Sequence, residues 1–260
     1  MVHFFEVPDL LLGLFIVTSS IVVAVAGVCI IRCRVNYSIL KEDHEVAGFL
    51  YSMVGVIYAV LLAFITIVVW EQYRDAQNYV QQEAVRVSNL LRDAQVFPDL
   101  VRKKLREKLL AYGRAVVSDE WNTMAKRQPS PLASKAYEDI WETIYEIQPE
   151  TERERAFYRE SITRLNELSG IRRSRLLSSQ SRIPSLLWVL MAGGAAISIA
   201  YTYMFGMKNR WVHVLTAGSL AGLIGFVLFL ILALSSPFSG SLLISPDPLE
   251  SVLQLWEHTV

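Results

Sequence analysis

The chain has 260 residues, of which 53% are hydrophobic and 19% are charged, and its 25 basic side chains balance 25 acidic ones. A mean hydropathy of +0.34 is too high for a water-soluble enzyme of this length and excludes that class. With a net charge of zero the chain offers no basic surface to nucleic acid, so a nucleic-acid-binding protein is excluded as well.

Four long apolar stretches without an acidic or basic residue account for the high hydropathy. Each is long enough for a helix to cross a bilayer core of roughly 30 Å, which takes about 20 residues. The four stretches are residues 10–31, 46–70, 183–207 and 211–234. The sequence therefore predicts an all-α, polytopic membrane protein with four transmembrane helices.

An even number of spans places both chain ends on the same side of the membrane as the long segment 71–182. Close to the spans, this segment carries seven arginines, whereas the short loops 32–45 and 208–210 on the other side carry five Lys or Arg residues. The side with more basic residues is usually the cytoplasmic one. We therefore expect an integral plasma membrane protein of the bacterial inner membrane, with segment 71–182 and both ends in the cytoplasm.

The same division predicts four parts of the chain. They are an N-terminal membrane hairpin at 1–70, a helical cytoplasmic domain at 71–182, a C-terminal membrane hairpin at 183–234 and a tail at 235–260.

The charged central segment is predicted to be helical. No Gly or Pro interrupts residues 71–95, so the helix of the second span should continue past the membrane. Pro98 ends that helix, and Asp99 is a natural cap for the next one. The remaining predicted helices are residues 100–126, 134–147 and about 151–181.

Apolar residues at a spacing of three to four mark the faces of these helices that should be buried. On the three helices they are Leu105, Leu109, Tyr112 and Val116, then Tyr137, Ile140, Trp141, Ile144 and Tyr145, then Phe157, Ile162, Leu165 and Leu168. In the acidic tail, Leu249, Val252, Leu253 and Trp256 predict a short amphipathic helix packed on the cytoplasmic domain.

No group of residues has the spacing that catalysis or metal binding requires. The four histidines are scattered along the chain. A cysteine pair with zinc spacing, a glycine-rich phosphate loop and a nucleophile elbow do not occur in the sequence. We therefore expect a protein that is not an enzyme and that binds no cofactor and no metal.

The second span separates small from large side chains. Its large side chains (Val54, Ile57, Leu61, Phe64 and Val68) face away from a stripe of small ones, namely Gly48, Ser52, Gly55, Ala59, Ala63 and Thr66. Close helix packing through small residues would produce this pattern, and so would a pore whose lining leaves room for ions. The third and fourth spans carry similar stripes, so the spacing alone favours packing.

A pore remains compatible with the composition of the spans. No acidic or basic residue lies inside any of them. This disfavours a proton-coupled transporter, which commonly keeps an ionisable group at membrane depth. An apolar constriction, in contrast, can control a pore by dewetting.

Several short motifs are distributed along the chain. The second span ends in Trp70-Glu71-Gln72-Tyr73-Arg74, and Glu83 follows on the same helix; the later motifs are Glu120-Trp121, Arg172–Leu176, Pro184 with Trp188, and Pro237-Phe238-Ser239-Gly240. In this combination most of the chain resembles a bacterial membrane protein family described as bestrophin-like, to which no function is assigned. One position departs from the family pattern. Ser235 stands where the family favours Asp, so a role of that acid is not carried over.

A more distant resemblance leads to the bestrophins themselves. These are pentameric ion channels with four spans per subunit and a helical cytosolic region between the second and third. Their second span lines an axial pore and ends in an aromatic motif similar to the one at Trp70 and Tyr73. If the motifs are matched without gaps, the bestrophin neck falls on Ser52, Val56 and Val60, which are smaller than the side chains of that neck.

The resemblance implies the architecture more than the permeant ion. An Arg that often precedes the aromatic pair of bestrophins is replaced here by Val68 and Val69. Animal bestrophins pass anions and bacterial ones can pass cations, so the ion remains open.

Two functions fit these observations. The first is a homo-oligomer in the lipid bilayer, a pentamer by resemblance, that conducts small ions through a pore lined by Ser52, Val56, Val60 and Ala63. The second is a non-conducting membrane scaffold or sensor. Its cytoplasmic helices would recruit a partner protein through exposed aromatics such as Trp121 and Trp141.

Overall fold

A computed structural model describes residues 7–35, 44–205, 207–240 and 242–258. The chain ends and most of the predicted loop 32–45 lie outside the described residues. Within the described part, the chain forms nine α-helices. They are α1 (Val7–Arg34), α2 (His44–Asp93), α3 (Asp99–Ala115), α4 (Trp121–Ala125), α5 (Pro131–Tyr145), α6 (Glu152–Gln180), α7 (Ser185–Met204), α8 (Arg210–Leu234) and α9 (Asp247–Glu257).

The chain divides into two compact units. The apolar unit comprises Met1–Glu71 and Arg182–Ser235, and the polar unit comprises Gln72–Ser181 and Ser236–Val260. Helix α2 belongs to both units, because its 50 residues continue without a break from the apolar unit into the polar unit.

Four helices are long and apolar enough to cross a membrane, namely α1, α2, α7 and α8. This confirms the predicted number of such helices. Helix α7 is shorter than the predicted stretch 183–207. It begins at Ser185, since Pro184 occupies the cap position, and it ends at Met204.

In the apolar unit, small residues allow α8 to pack closely on α1. A Cβ atom added at Gly225 would lie 2.9 Å from Ser20 Oγ and 3.3 Å from the backbone Cα of Val17. One turn earlier, a Cβ at Gly222 would lie 3.2 Å from the side chain of Ile21. Glycine therefore lets these two helices approach more closely than any other residue would.

In the polar unit, the faces predicted for α3 and α6 are buried. Leu105, Leu109, Tyr112 and Val116 are fully buried, and so are Leu165 and Leu168. Phe157 and Ile162 of the α6 face are partly buried against the same core. On α5, Ile140 and Ile144 are buried as predicted, but Tyr145 is 70% exposed. The prediction for Tyr145 was wrong because Tyr145 is the last residue of α5. Its ring stacks on that of Trp141, with the ring centroids 5.5 Å apart.

Two details of the predicted helix 100–126 differ from the structure. Asp99 is the first residue of α3 and not its cap, since Pro98 holds the cap position and the Asp99 carboxylate instead accepts a hydrogen bond from Arg102 at 2.6 Å. Between α3 and α4, residues Val116–Glu120 form a π turn. A π turn inserts an extra residue into the helical repeat and therefore changes which side chains point inward.

The tail forms the predicted amphipathic helix and packs within the polar unit. Leu249 and Leu253 of α9 are buried, and the indole N–H of Trp256 donates to Ser88 Oγ at 3.2 Å. The Arg106 guanidinium donates to the backbone carbonyl of Trp256 at 2.5 Å. The tail is thus held by both apolar and polar contacts.

Candidate functional site

The four side chains predicted to line a pore are all exposed on α2. Val56 is 64% exposed and Val60 is 49% exposed, and Ser52 and Ala63 are also exposed. The opposite side of the same helix is buried in the apolar unit through Tyr58, Leu62, Ile65 and Val69. Since a helix repeats every 3.6 residues, the two groups point in roughly opposite directions.

Gly48 and Gly55 of α2 do not make the close helix contacts that Gly222 and Gly225 of α8 make. A Cβ added at Gly55 would have no described atom within 4 Å, and one at Gly48 would meet only the ring of Phe205 at 3.9 Å. Gly55, Ala59 and Ala63 instead line an apolar cleft of about 550 Å³ between α2, α7 and α8. Within the described residues, close packing through glycine therefore holds for α8 but not for Gly48 and Gly55 of α2.

The residues of the aromatic motif lie on α2 where one unit passes into the other. In the apolar unit, Trp70 is 52% exposed and Glu71 is exposed. In the polar unit, Tyr73 packs against the hydrophobic core and Arg74 is exposed.

In the polar unit, residues from three separate motifs meet in a buried ion-pair network. Arg175 is fully buried and donates two hydrogen bonds to Glu83, from Nε to Oε2 at 2.5 Å and from Nη2 to Oε1 at 3.0 Å. The Tyr112 hydroxyl donates to the same Oε1 atom at 2.5 Å. Glu83 and Tyr112 are themselves fully buried.

Glu120 joins two arginines of α6. Its Oε2 accepts from Arg175 Nη2 at 2.5 Å, and its Oε1 accepts from Arg172 Nη2 at 2.6 Å. Arg172 also donates to Ser134 Oγ at 3.1 Å. Glu120 is the last residue of the π turn, and the turn gives it a fully buried position facing α6.

Aromatic rings enclose the network and connect it to the tail. The Arg175 guanidinium lies 5.3 Å from the Trp121 ring centroid, a cation–π distance. The Trp121 ring meets Phe238 edge to face at 5.7 Å, and its indole N–H donates to the Ile244 carbonyl at 3.0 Å. The Glu120-Trp121 motif and the Pro237–Gly240 motif are therefore in contact.

The formal charges of the network balance. Burial acts to lower the pKa of Arg175, but Glu83 and Glu120 more than offset this, so the pKa of Arg175 is raised. Burial and the neighbouring Glu83 carboxylate hold the pKa of Tyr112 well above its usual value. The network is thus two carboxylates neutralised by two guanidiniums, an arrangement that fixes helices relative to one another.

The remaining motif residues shape helix ends and turns. Pro184 precedes the first residue of α7. The Pro237 carbonyl accepts the backbone N–H of Ile244 at 2.8 Å, which closes the turn after α8. Gly240 adopts φ +89°, a conformation that glycine tolerates and other residues rarely adopt.

Sequence reasoning did not identify Arg175 and Tyr112 as partners of Glu83 and Glu120. A signal for the two buried charges was present in the sequence, because Arg175 and Glu83 each continue an apolar stripe of their helix. Arg175 follows Leu165 and Leu168 at helical spacing, and Glu83 follows Ala76 and Val80. A charged residue on a buried face requires a partner of opposite charge.

The described residues offer little that could hold a metal. In the ranges given above, no three His, Cys, Asp or Glu side chains cluster around a common point. His213 is buried in the apolar unit, and both ring nitrogens have neighbours: Nε2 lies 2.8 Å from the Thr202 carbonyl, and Nδ1 lies 3.5 Å from Arg32 Nη1.

Comparison with known proteins identifies the family of the chain. A family model described as a bestrophin-like domain matches residues 18–249. No curated protein matches the chain in sequence.

Among solved structures, crystal structures of a bacterial bestrophin homologue from Klebsiella pneumoniae share the fold. One point variant has a TM-score of 0.68 at 12% identity, covering 93% of this chain and 99% of the other. A second variant has a TM-score of 0.71 at 11% identity, covering 94% and 97%. The structure phased with zinc has a TM-score of 0.66 at 13% identity, covering 92% and 95%.

Proposed function

Because the chain belongs to the bestrophin-like family, we propose that it forms a homo-oligomeric ion channel in which α2 lines an axial pore for small ions. The observation that carries this proposal is the exposed side of α2. Val56 and Val60 are exposed, and they lie on the side of α2 opposite Tyr58, Leu62 and Ile65, which are buried in the apolar unit. Beside them, a Cβ atom added at Gly55 would have no described atom within 4 Å.

A ring of copies would give this side of α2 a function. Repeated around a symmetry axis, Ser52, Val56 and Val60 would surround a narrow, mostly apolar passage. A passage of this kind conducts when it is wet and closes when water leaves it, without any charged group. The family resemblance suggests five copies, with the polar unit and both chain ends in the cytoplasm.

The proposal is tested by recording currents from the purified protein in planar bilayers. We expect Val56→Phe to reduce the unitary conductance severalfold, because five added rings would narrow the passage. We expect Val56→Ser to raise the open probability, because a hydroxyl makes a constriction easier to wet. Val60→Phe and Val60→Ser should act in the same directions.

Val68→Phe is the matched control. Val68 is 50% exposed, but it lies about 120° around the helix from Val56 and more than two turns beyond Val60. Its substitution should leave the conductance unchanged. If currents are the same in every variant at Val56 and Val60, α2 does not line the pore.

The second function is a scaffold that recruits a partner through exposed Trp121 and Trp141. The exposure that it requires of these side chains is missing. Trp121 is only 7% exposed and lies against Arg175 in the core of the polar unit. Trp141 is partly buried, and its indole N–H donates to the Tyr137 hydroxyl at 2.9 Å. These side chains hold the polar unit together and do not form an exposed aromatic surface.

A further inference from the structure

The polar unit has one end at which the chain connects it to α7 and α8. The Arg175 guanidinium donates to Met124 Sδ, and the Trp121 ring meets that of Phe238. Arg175 and Phe238 each lie within six residues of the boundary with the apolar unit, a distance of at most about 20 Å even for an extended chain. Helix α4 and the turn after it therefore lie at this end. We call it the junction end and define it as residues 119–134, 168–181 and 236–240.

The turn between α4 and α5, residues 126–130, is held in a fixed conformation. The backbone N–H of Arg127 donates to the Met124 carbonyl at 2.8 Å, and Ser130 Oγ donates to Asp119 Oδ2 at 2.5 Å. Arg127 has φ +59°, a value that no other non-glycine residue in the described ranges shares in sign. Glycine usually occupies such a position after a helix, because a side chain makes it unfavourable. An arginine at this position therefore indicates a use for its side chain.

The junction end carries positive charge that nothing in the described chain neutralises. It contains five Lys or Arg residues but only two acids, Asp119 and Glu120, whereas the polar unit as a whole has 19 residues of each sign. Residues 72–82 of α2 add one residue of each sign. Two of the five basic residues belong to the buried network, whose own charges balance. The other three, Lys126, Arg127 and Arg173, form no ion pair with any described residue.

Two large apolar side chains are exposed at the same end. Leu132 of α5 and Leu177 of α6 are each 57% exposed. Arg172 donates to Ser134 Oγ at 3.1 Å, so the first turns of α5 lie beside the last turns of α6, and the two leucines belong to this end of the unit. Exposed leucines together with unpaired basic residues are typical of a protein surface that lies in the headgroup region of a membrane.

We propose that the junction end binds the anionic phospholipid surface of the membrane. Lys126, Arg127 and Arg173 attract the phosphate groups, and Leu132 enters the boundary between headgroups and hydrocarbon. In a ring around an axis normal to the membrane, copies meet side by side, so the end of each unit that connects to the spans is left free for lipid. The inference does not depend on conduction.

The test measures contact between Leu132 and lipid in the full-length protein. Both cysteines are replaced, as Cys29→Ser and Cys33→Ser, and the environment-sensitive fluorophore NBD is attached to Leu132→Cys. The protein is reconstituted in vesicles of phosphatidylcholine, with or without added phosphatidylglycerol. We expect phospholipid with a doxyl group near its headgroup to quench NBD about twofold more strongly when phosphatidylglycerol is present, because the anionic surface holds the junction end.

Glu142→Cys is the matched position for the label, since Glu142 is an exposed residue of the same helix about 15 Å further along. NBD at this position should not be quenched by the doxyl lipid in either vesicle. Bright emission from the label at Leu132→Cys without quenching by lipid would indicate a neighbouring copy and overturn the proposal. Equal quenching in the two kinds of vesicle would also overturn it.

A charge variant separates lipid binding from folding. Arg127→Gly removes a charge and places at positive φ the residue that tolerates it best. Combined with Lys126→Gln, it should abolish the additional quenching that phosphatidylglycerol causes, while the melting temperature in detergent stays the same or rises. Unchanged quenching in this double variant overturns the proposal. Intact quenching in a protein that passes no current would separate the lipid contact from the channel.

Discussion

At the residue scale, the polar unit depends on charges that lie where apolar side chains would be expected. Glu83, Glu120 and Arg175 are fully buried, and each occupies the inward face of its helix. Removing one member of such a group leaves the opposite charge buried without compensation. The network therefore makes the unit sensitive to single substitutions that would be harmless on its surface.

Arg175→Met should destabilise the protein by about 3–5 kcal/mol, because Glu83 would be left as a buried carboxylate without a charged partner and Glu120 would keep only Arg172. The measurement is thermal unfolding of the detergent-solubilised protein, followed by tryptophan fluorescence. Trp121 lies 5.3 Å from the guanidinium and reports on this region. The control is Arg173→Met, which alters the neighbouring exposed arginine and should leave the melting temperature unchanged. Equal melting temperatures of the two variants would contradict a structural role of the network.

At the element scale, small residues serve different purposes in different helices. The glycines of α8 let it pack against α1, with the backbone of Val17 close to Gly225. Gly48 and Gly55 of α2 make no such close contact with a described residue, and Gly55, Ala59 and Ala63 border the apolar cleft. Spacing in the sequence is similar in both helices, so the difference arises from what lies opposite each stripe.

Gly225→Val should destabilise the apolar unit by about 1–3 kcal/mol, because the added side chain would push α8 away from α1. Gly193→Val is the control, since a Cβ at Gly193 would have no described atom within 4 Å. Both are helical glycines of apolar helices, so the cost of helix propensity is the same. Thermal unfolding in the same detergent should separate them, and equal melting temperatures would show that α1 and α8 do not need close contact.

At the scale of the whole molecule, the proposed function requires several copies. A single chain presents Val56 and Val60 to its surroundings, and only a ring of chains could make that side of α2 the wall of a passage. Cyclic symmetry places the same helix of every copy around the axis. The oligomeric state is therefore the property that most directly decides between an axial pore and another function.

Native mass spectrometry of the protein in mild detergent should give a mass of five times the 29.4 kDa chain. A monomer or a simple dimer would leave α2 no ring to line and would remove the channel proposal.

Short motifs in the sequence indicated the bestrophin-like family by resemblance. Local patterns in the sequence determined the helical fold class, the four apolar helices and most of the buried faces of α3 and α6. These features were predictable because periodicity and length act over a few turns of one helix. The structure alone revealed that Glu83, Glu120 and Arg175 meet, because they are far apart in the chain and their pairing depends on how α2, the π turn and α6 are packed. It alone revealed the apolar cleft beside α2, because a cavity is created by the spacing between helices, and no single stretch of sequence encodes that spacing.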